Sequence, residues 1–227
     1  MRAFILVIDG FGIGAMPDCK LFGDYGANTL KNIRNAYDLN LPTLADMGLY
    51  NIDGTYNEDR QPSAAYARLE ELSKGKDTTV GHWEMAGVIT EKPFPTFPNG
   101  FPKEFMARLE KECGTKFLCN KPYSGTEVIK DYGEEHLATG YPIIYTSADS
   151  VLQIATHSDR YTLEQLYDMC EKARALCTGK YAVGRVIARP FTGEYPFTRT
   201  ADRKDFSLDP TGVTILDEVK AAGLQSV

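Results

Sequence analysis

The sequence predicts an α/β protein, with a core built on buried strands and a second, smaller α+β unit set into it. Three observations predict this. Ala3-Phe4-Ile5-Leu6-Val7-Ile8 is a continuous apolar run closed by Asp9 and Gly10, the pattern of a central parallel strand covered on both faces. Gly75-Lys76-Asp77-Thr78-Thr79-Val80-Gly81-His82-Trp83-Glu84 leaves a glycine loop and enters a helical stretch. Lys92–Pro102 then holds four prolines in eleven positions, which neither a helix nor a central strand tolerates, so it reads as a connector.

The remaining elements follow in order. Asn28 or Thr29 caps a helix through Ile33, and Leu41–Gly48 is a short helix stopped by Gly48. Ala64–Leu69 reads as a strand ahead of the Lys76 loop. After the connector come a helix over Lys103–Glu112 stopped by Gly114 and a strand over Lys116–Cys119. Strands are then expected over Ile143–Thr146 and Val151–Thr156. Thr162 and Gln165 fit a capping box that opens a helix to about Cys177, followed by a strand over Tyr181–Ala188. Val213, Leu216, Val219 and Ala222 mark one helical face with Gly223 as its stop, and Leu224–Val227 starts a strand pattern at which the sequence ends. This gives residues 1–97 to the core, 98–208 to the inserted unit and 209–227 to a return into a core that stops short.

At 227 residues and net charge −6, a general nucleic-acid-binding surface is not expected, while a local cationic pocket is compatible with the balance. No apolar run approaches a membrane span or a secretory leader. Five cysteines (Cys19, Cys113, Cys119, Cys170, Cys177) without a Cys-x-x-Cys pair argue against a disulfide framework and a structural zinc site, and for a reduced, cytoplasmic protein. Cys170 and Cys177 lie seven apart on one expected helix and read as small buried hydrophobes.

Two motifs carry candidate chemistry. Asp9, where a buried strand runs into Gly10, Gly12 and Gly14, is placed where open α/β folds bind ligands, and a hard divalent cation favours such a carboxylate. The plainer reading is a strand-end turn. Thr78 stands at a helix N-terminus, whose free N–H groups favour a phosphate attached there. The plainer reading is that Asp77 or Thr78 caps the helix. His82, His136 and His157 show no metal-ligand spacing; His82 sits near the Thr78 loop, and the other two read as surface or strand-end residues. Arg185, Arg189, Arg199 and Arg203 fall within nineteen positions of an acidic chain. They suit a phosphorylated small substrate or salt bridges to Glu194, Asp202 and Asp205. Ser147-Ala148-Asp149-Ser150, after an apolar strand, offers polar groups to sugar hydroxyls, or is simply a polar turn.

Val7–Gly14 with Met16-Pro17-Asp18, Phe22-Gly23-Asp24, Gly75–Glu84, Phe97–Glu104, Asn120–Glu127, Tyr145–Ala155, Val183–Phe191 and Phe197-Thr198-Arg199-Thr200 occur in this order across nearly the whole chain. In these stretches the sequence resembles the N-terminal portion of bacterial phosphopentomutases, members of the alkaline phosphatase superfamily. The resemblance implies an alkaline-phosphatase-like α/β core, incomplete here, with an inserted α+β cap domain. It implies that Thr78 is the phosphorylated nucleophile and that Asp9 and Thr78 are ligands of two Mn2+ ions, the remaining ligands being expected beyond Val227. By the same match Ser147, Asp149, Val151, Arg185, Ile187 and Arg199 hold the substrate. The implied reaction interconverts (deoxy)ribose 1-phosphate and (deoxy)ribose 5-phosphate through a 1,5-bisphosphate, and a sugar bisphosphate is open as an activator. A metal-dependent phosphomonoesterase and a non-catalytic sugar-phosphate-binding module are the alternatives. Oligomeric state and the activity of the 227 residues alone stay open.

Overall fold

The computed structural model describes residues 2–56 and 61–226. Its contacts divide the chain into two units, Met1–Glu71 and Leu72–Val227.

The first unit holds three short helices: α1 (Cys19–Phe22), α2 (Thr29–Ala36) and α3 (Pro42–Met47). Asn28 caps α2 by accepting the Lys31 N–H through its side chain, and α3 starts on Pro42 and ends on Gly48 in the left-handed conformation, as the sequence predicts. The strand expected over Ala3–Ile8 does not form: Phe4, Ile5 and Leu6 are 81%, 71% and 91% exposed, and the backbone has no ladder partner among the described residues. An apolar run specifies a strand only when a neighbour supplies hydrogen bonds on each side and layers cover both faces. Ala64–Leu69 is likewise without strand structure, for the same reason.

The second unit contains a six-stranded mixed sheet. Its elements are α4 (Thr78–Met85), α5 (Lys103–Cys113), β1 (Leu118–Pro122), α6 (Gly125–Thr139), β2 (Ile143–Thr146), β3 (Val151–His157), α7 (Leu163–Leu176), β4 (Arg185–Thr192), β5 (Thr198–Arg199), β6 (Lys204–Ser207) and α8 (Ile215–Ala221). The order is β1-β2-β3-β4, with β5 and β6 both on the outer edge of β4. Two crossovers, β1-α6-β2 and β3-α7-β4, make parallel pairs, and an antiparallel β2–β3 turn joins them. Both turn-forming ends of this arrangement fall at one end of the sheet: the carboxyl ends of β1 and β2 and the amino ends of β3 and β4.

Alternation along the strands sorts the sheet into two faces. Ile144, Leu152, Ile154, Val186 and Ala188 pack with Phe105 and Leu109 of α5 and with Leu166, Met169 and Cys170 of α7. The other face sets Ile143, Tyr145, Ala155 and Phe191 against Val128 and Ile129 of α6. Helix α7 opens with the capping box at Thr162 and Gln165, and α5 ends on left-handed Gly114. The expected strand over Lys116–Cys119 is displaced to Leu118–Pro122, and that over Tyr181–Ala188 to Arg185–Thr192, with Gly179–Tyr181 a 3-10 turn. The terminal helix is present as Ile215–Ala221, but Leu224–Ser226 has no strand structure and Val227 lies outside the described residues. All five cysteines are free thiols, and burial pushes Cys113 up to about 11 and Cys177 up to about 12. No helix among the described residues is long and apolar enough to cross a membrane.

His136 and His157 are not surface residues, being 0% and 2% exposed, and His157 is the strand-end residue of β3. His136 donates from Nδ1 to the Tyr141 carbonyl at 2.7 Å and accepts the His157 N–H at Nε2, 2.9 Å away. A second proton on Nε2 would face that N–H. Burial therefore holds the His136 pKa below its ordinary value, against the Tyr141 hydrogen bond, with the nearby His157 adding to the depression. The unfolded chain takes up the proton more readily, so this contribution is present above the unfolded pKa of about 6.5 and is lost as pH falls below it. Urea unfolding is expected to give a lower midpoint at acidic than at neutral pH, with a smaller loss in His136→Gln. A loss of the same size in the variant would contradict this assignment.

Candidate functional site

Helix α6 covers only part of its side of the sheet, because it begins at Gly125 and packs over Ile143, Ala155 and Phe191. The same strand positions continue past its N-terminus as Val151 and Gln153 on β3 and Arg185, Ile187 and Arg189 on β4. Here the face changes from apolar to polar and cationic. These residues floor a cavity of about 350 Å3. Its walls are Tyr123, Ser124 and Gly125 before and at the start of α6, Ser147 and Asp149 in the β2–β3 turn, and Arg199 and Arg203 from the strands edging β4. Thr78 closes it from the first residue of α4.

Local sequence explains why Thr78 stands there. Gly75 takes φ +99° to turn the loop, and Asp77 caps α4 by accepting the Thr79 N–H at 2.8 Å. The second oxygen of Asp77 accepts the Ser150 N–H at 3.2 Å, tying the helix start to the turn that carries Ser147 and Asp149. Ser150 donates its hydroxyl to the Pro95 carbonyl and accepts the Gly184 N–H. A Cβ on Gly184 would meet Phe94 at 2.9 Å and Asp77 at 3.3 Å, so only glycine lets this packing form. At the other end of α4, Glu84 accepts the N–H groups of Leu72 and Ser73, both at 2.7 Å. Burial raises the Glu84 pKa, but these hydrogen bonds outweigh it and the net shift is downward. Trp83 is core, edge-on to Phe94. Asp77 is thus the cap, and the Thr78 side chain is exposed at the cavity. His82 is exposed and turned back along its own helix, with Nδ1 2.7 Å from the Thr78 carbonyl oxygen.

The four arginines converge. Arg203 and Asp205 form a two-pronged pair at 2.7 and 2.6 Å, and Arg185 lies 3.6 Å from the same carboxylate. Part of the cluster therefore meets the salt-bridge alternative. Arg189 instead donates to the Gln153 amide oxygen and Arg199 to the Gly125 carbonyl, and neither has a carboxylate partner among the described residues. Two buried polar atoms beside them, Arg185 Nε and the Tyr145 hydroxyl, lack any hydrogen-bond partner. Partial burial lowers the Arg189 pKa, in the presence of Arg203 and Arg199. An anion in the cavity would face the guanidinium groups of Arg189 and Arg199, which have no carboxylate partner among the described residues.

Of the residues singled out from sequence, Thr78, Ser147, Asp149, Val151, Arg185, Ile187 and Arg199 line this one cavity. Asp9 lies in the other unit, exposed in a turn closed by the Phe11 N–H to the Ile8 carbonyl, and not at a strand end. Among the described residues no three or more His, Cys, Asp or Glu side chains are grouped to hold a metal ion. Asp9 and Thr78 do not by themselves compose a metal site. Sequence reasoning did not point to Tyr123 or Gln153 as lining residues. The helical spacing of Val128, Ile129, Tyr132 and His136 would have revealed α6 and with it the role of Ser124 and Gly125 as a helix start.

The chain is 55% identical over 226 residues to a phosphopentomutase of Lachnoclostridium phytofermentans, covering 98% of this chain and 58% of that protein. It is 54% identical over 233 residues to one of Acetivibrio thermocellus, covering 98% and 60%. A phosphopentomutase of Caldanaerobacter subterraneus subsp. tengcongensis is 55% identical over 227 residues, covering 99% and 58%. The chain therefore spans a little under three-fifths to three-fifths of the length of these curated relatives. No family model matches it.

Proposed function

From a sequence that belongs with the phosphopentomutases over 98% of its length, we propose that the natural polypeptide carrying these residues interconverts (deoxy)ribose 1-phosphate and (deoxy)ribose 5-phosphate in the cytoplasm. The observation that carries the reading is the convergence of Thr78 and four arginines on one cavity. A hydroxyl at a helix start is suited to hold a phosphoryl group, and the arginine forks are suited to a second one.

Thr78 carries the phosphoryl group. In the first half-reaction its Oγ–P bond breaks as a P–O bond forms to the attacking sugar hydroxyl, and the hydroxyl proton ends on Thr78 Oγ. The product is a 1,5-bisphosphate. After the sugar turns over, the opposite phosphate returns to Thr78 with the reverse proton movement. Ser147 and Asp149 engage sugar hydroxyls, Val151 and Ile187 pack against the ring, and Arg185 and Arg199 hold the phosphate not in transit. Residues 98–208 act as a cap inserted into an alkaline-phosphatase-like core formed by 1–97 and 209–227, and exclusion of water keeps the phosphoryl group from hydrolysis. The resemblance gives Asp9 and Thr78 as ligands of two Mn2+ ions, which would supply charge neutralisation to the transferring group; the other ligands are not among the described residues. A sugar bisphosphate serves as activator by rephosphorylating Thr78.

The test is product partition. Incubated with ribose 5-phosphate and Mn2+, the natural polypeptide is expected to accumulate ribose 1-phosphate with little free phosphate. Free phosphate without ribose 1-phosphate would replace the mutase by a phosphomonoesterase.

A further inference from the structure

Segments far apart in the sequence are tied together at Ser150, a buried residue of the β2–β3 turn. Its N–H donates to Asp77 Oδ2 at 3.2 Å, and its carbonyl accepts the Arg185 N–H at 3.3 Å. Its hydroxyl donates to the Pro95 carbonyl at 2.5 Å and accepts the Gly184 N–H at 3.2 Å. Every polar group of this one residue is thus engaged outside its own turn. A turn that only joined β2 to β3 would satisfy such groups locally or in water. The chain neighbours of the tied residues all line the cavity. Thr78 follows Asp77, Asp149 and Val151 flank Ser150, and Arg185 follows Gly184. Asp77 has two separate uses here, since its Oδ1 caps α4 while its Oδ2 holds the turn.

We propose that Asp77 and Ser150 are positioning residues for phosphoryl transfer, their junction setting the reach from Thr78 to a sugar engaged by Ser147 and Asp149. This deepens the proposed function and rests on it for the reaction. Neither residue touches the substrate; Asp77 acts through the helix start that carries Thr78, and Ser150 through the turn. Transfer to a sugar hydroxyl needs donor and acceptor held in one alignment, whereas water reaches the exposed Thr78 without the turn. In transfer to sugar, the Thr78 Oγ–P bond breaks as a P–O bond forms to the sugar oxygen, whose proton ends on Thr78 Oγ. In hydrolysis the same bond breaks, the new bond is to a water oxygen, a water proton ends on Thr78 Oγ and inorganic phosphate leaves. The junction governs the first of these reactions and not the second.

Single-turnover discharge of the natural polypeptide, loaded on Thr78 with a ribose bisphosphate and then freed of it, tests this with Mn2+ present. Loss of the phosphoryl group is followed by intact mass, in buffer alone and with ribose 5-phosphate added. In Asp77→Asn the single amide oxygen keeps the α4 cap, and the amide nitrogen faces the Ser150 N–H, donor against donor. Discharge to ribose 5-phosphate is expected to slow by about tenfold or more, the scale of a small misplacement of reacting groups. Discharge to water and affinity for ribose 5-phosphate should be unchanged, and so should the melting temperature, because asparagine caps as well as aspartate. Ser150→Ala leaves the cap untouched and should show the same selective slowing. Its melting temperature should fall, because the Pro95 carbonyl and the Gly184 N–H lose their partner. The double variant should be no slower than the slower single one, as for residues acting through one junction. Discharge to sugar and to water slowed equally, or sugar discharge unslowed in both single variants, would overturn the proposal. An unaltered protein discharged no faster with ribose 5-phosphate than in buffer would remove the mutase reading, and the proposal with it.

Discussion

Thr78→Ala is expected to lower the interconversion of ribose 1-phosphate and ribose 5-phosphate by roughly 10^5-fold or more, the scale seen when a covalent nucleophile is removed. No neighbouring hydroxyl can take over. Thr79 is 8% exposed within the first turn of α4, while Thr78 lines the cavity. The fold should be unaffected, because the cap of α4 is the Asp77 carboxylate bonded to the Thr79 N–H and not the Thr78 side chain. Affinity for ribose 5-phosphate should stay within a few-fold of wild type, because in the proposed reading Arg185 and Arg199 hold the other end of the ligand. Coupled assay of both directions measures the loss. Activity within tenfold of wild type would remove Thr78 from the chemistry.

Ile154→Ala is expected to produce the largest loss of stability from a single core substitution. Ile154 is fully buried in β3, the strand hydrogen-bonded to β2 on one side and β4 on the other, and it packs in the cluster shared with α5 and α7. Removing a large buried aliphatic side chain costs about 3–4 kcal/mol, part of it for the cavity that remains. For a unit of this size that is a fall of roughly 10 °C in melting temperature. The same strand supplies Val151 and Gln153 to the cavity floor. Catalysis and binding should therefore weaken with temperature sooner than in the wild type. A melting temperature within about 2 °C of wild type, equivalent to less than 1 kcal/mol, would mean that the sheet is not the rigid base of the site.

Helices with explicit end signals were legible in the sequence. Asn28, Gly48, Gly114 and the Thr162–Gln165 box all do what their chemistry predicts, because capping is decided within a few residues. Strands were legible where an apolar run has neighbours close in sequence, as in Ile143–Thr146 and Val151–His157 across one turn. Ala3–Ile8 shows the limit: its composition describes a strand, yet a strand is made by its partners. Helix α6 carries a helical spacing at Val128, Ile129, Tyr132 and His136 that Gly125 and Gly133 interrupt without breaking. Gly133 is used for packing, as a Cβ there would run into Phe197.

The candidate site divides in the same way. Thr78 and the arginines stand out by residue type and spacing. Gln153 does not, since Val151–Thr156 reads as plain buried strand and the sequence does not show which of its side chains floor the cavity. Gly125 is equally silent, because its value is the space it leaves for Arg199.

The most direct measurement is peptide mapping by mass spectrometry of the natural polypeptide, isolated after brief exposure to a ribose bisphosphate. The account predicts one phosphoryl group on the peptide containing Thr78, absent from Thr78→Ala and discharged when unphosphorylated sugar phosphate is added. Sustained isomerisation with Thr78 unmodified, or with the phosphoryl group on another residue, would contradict it.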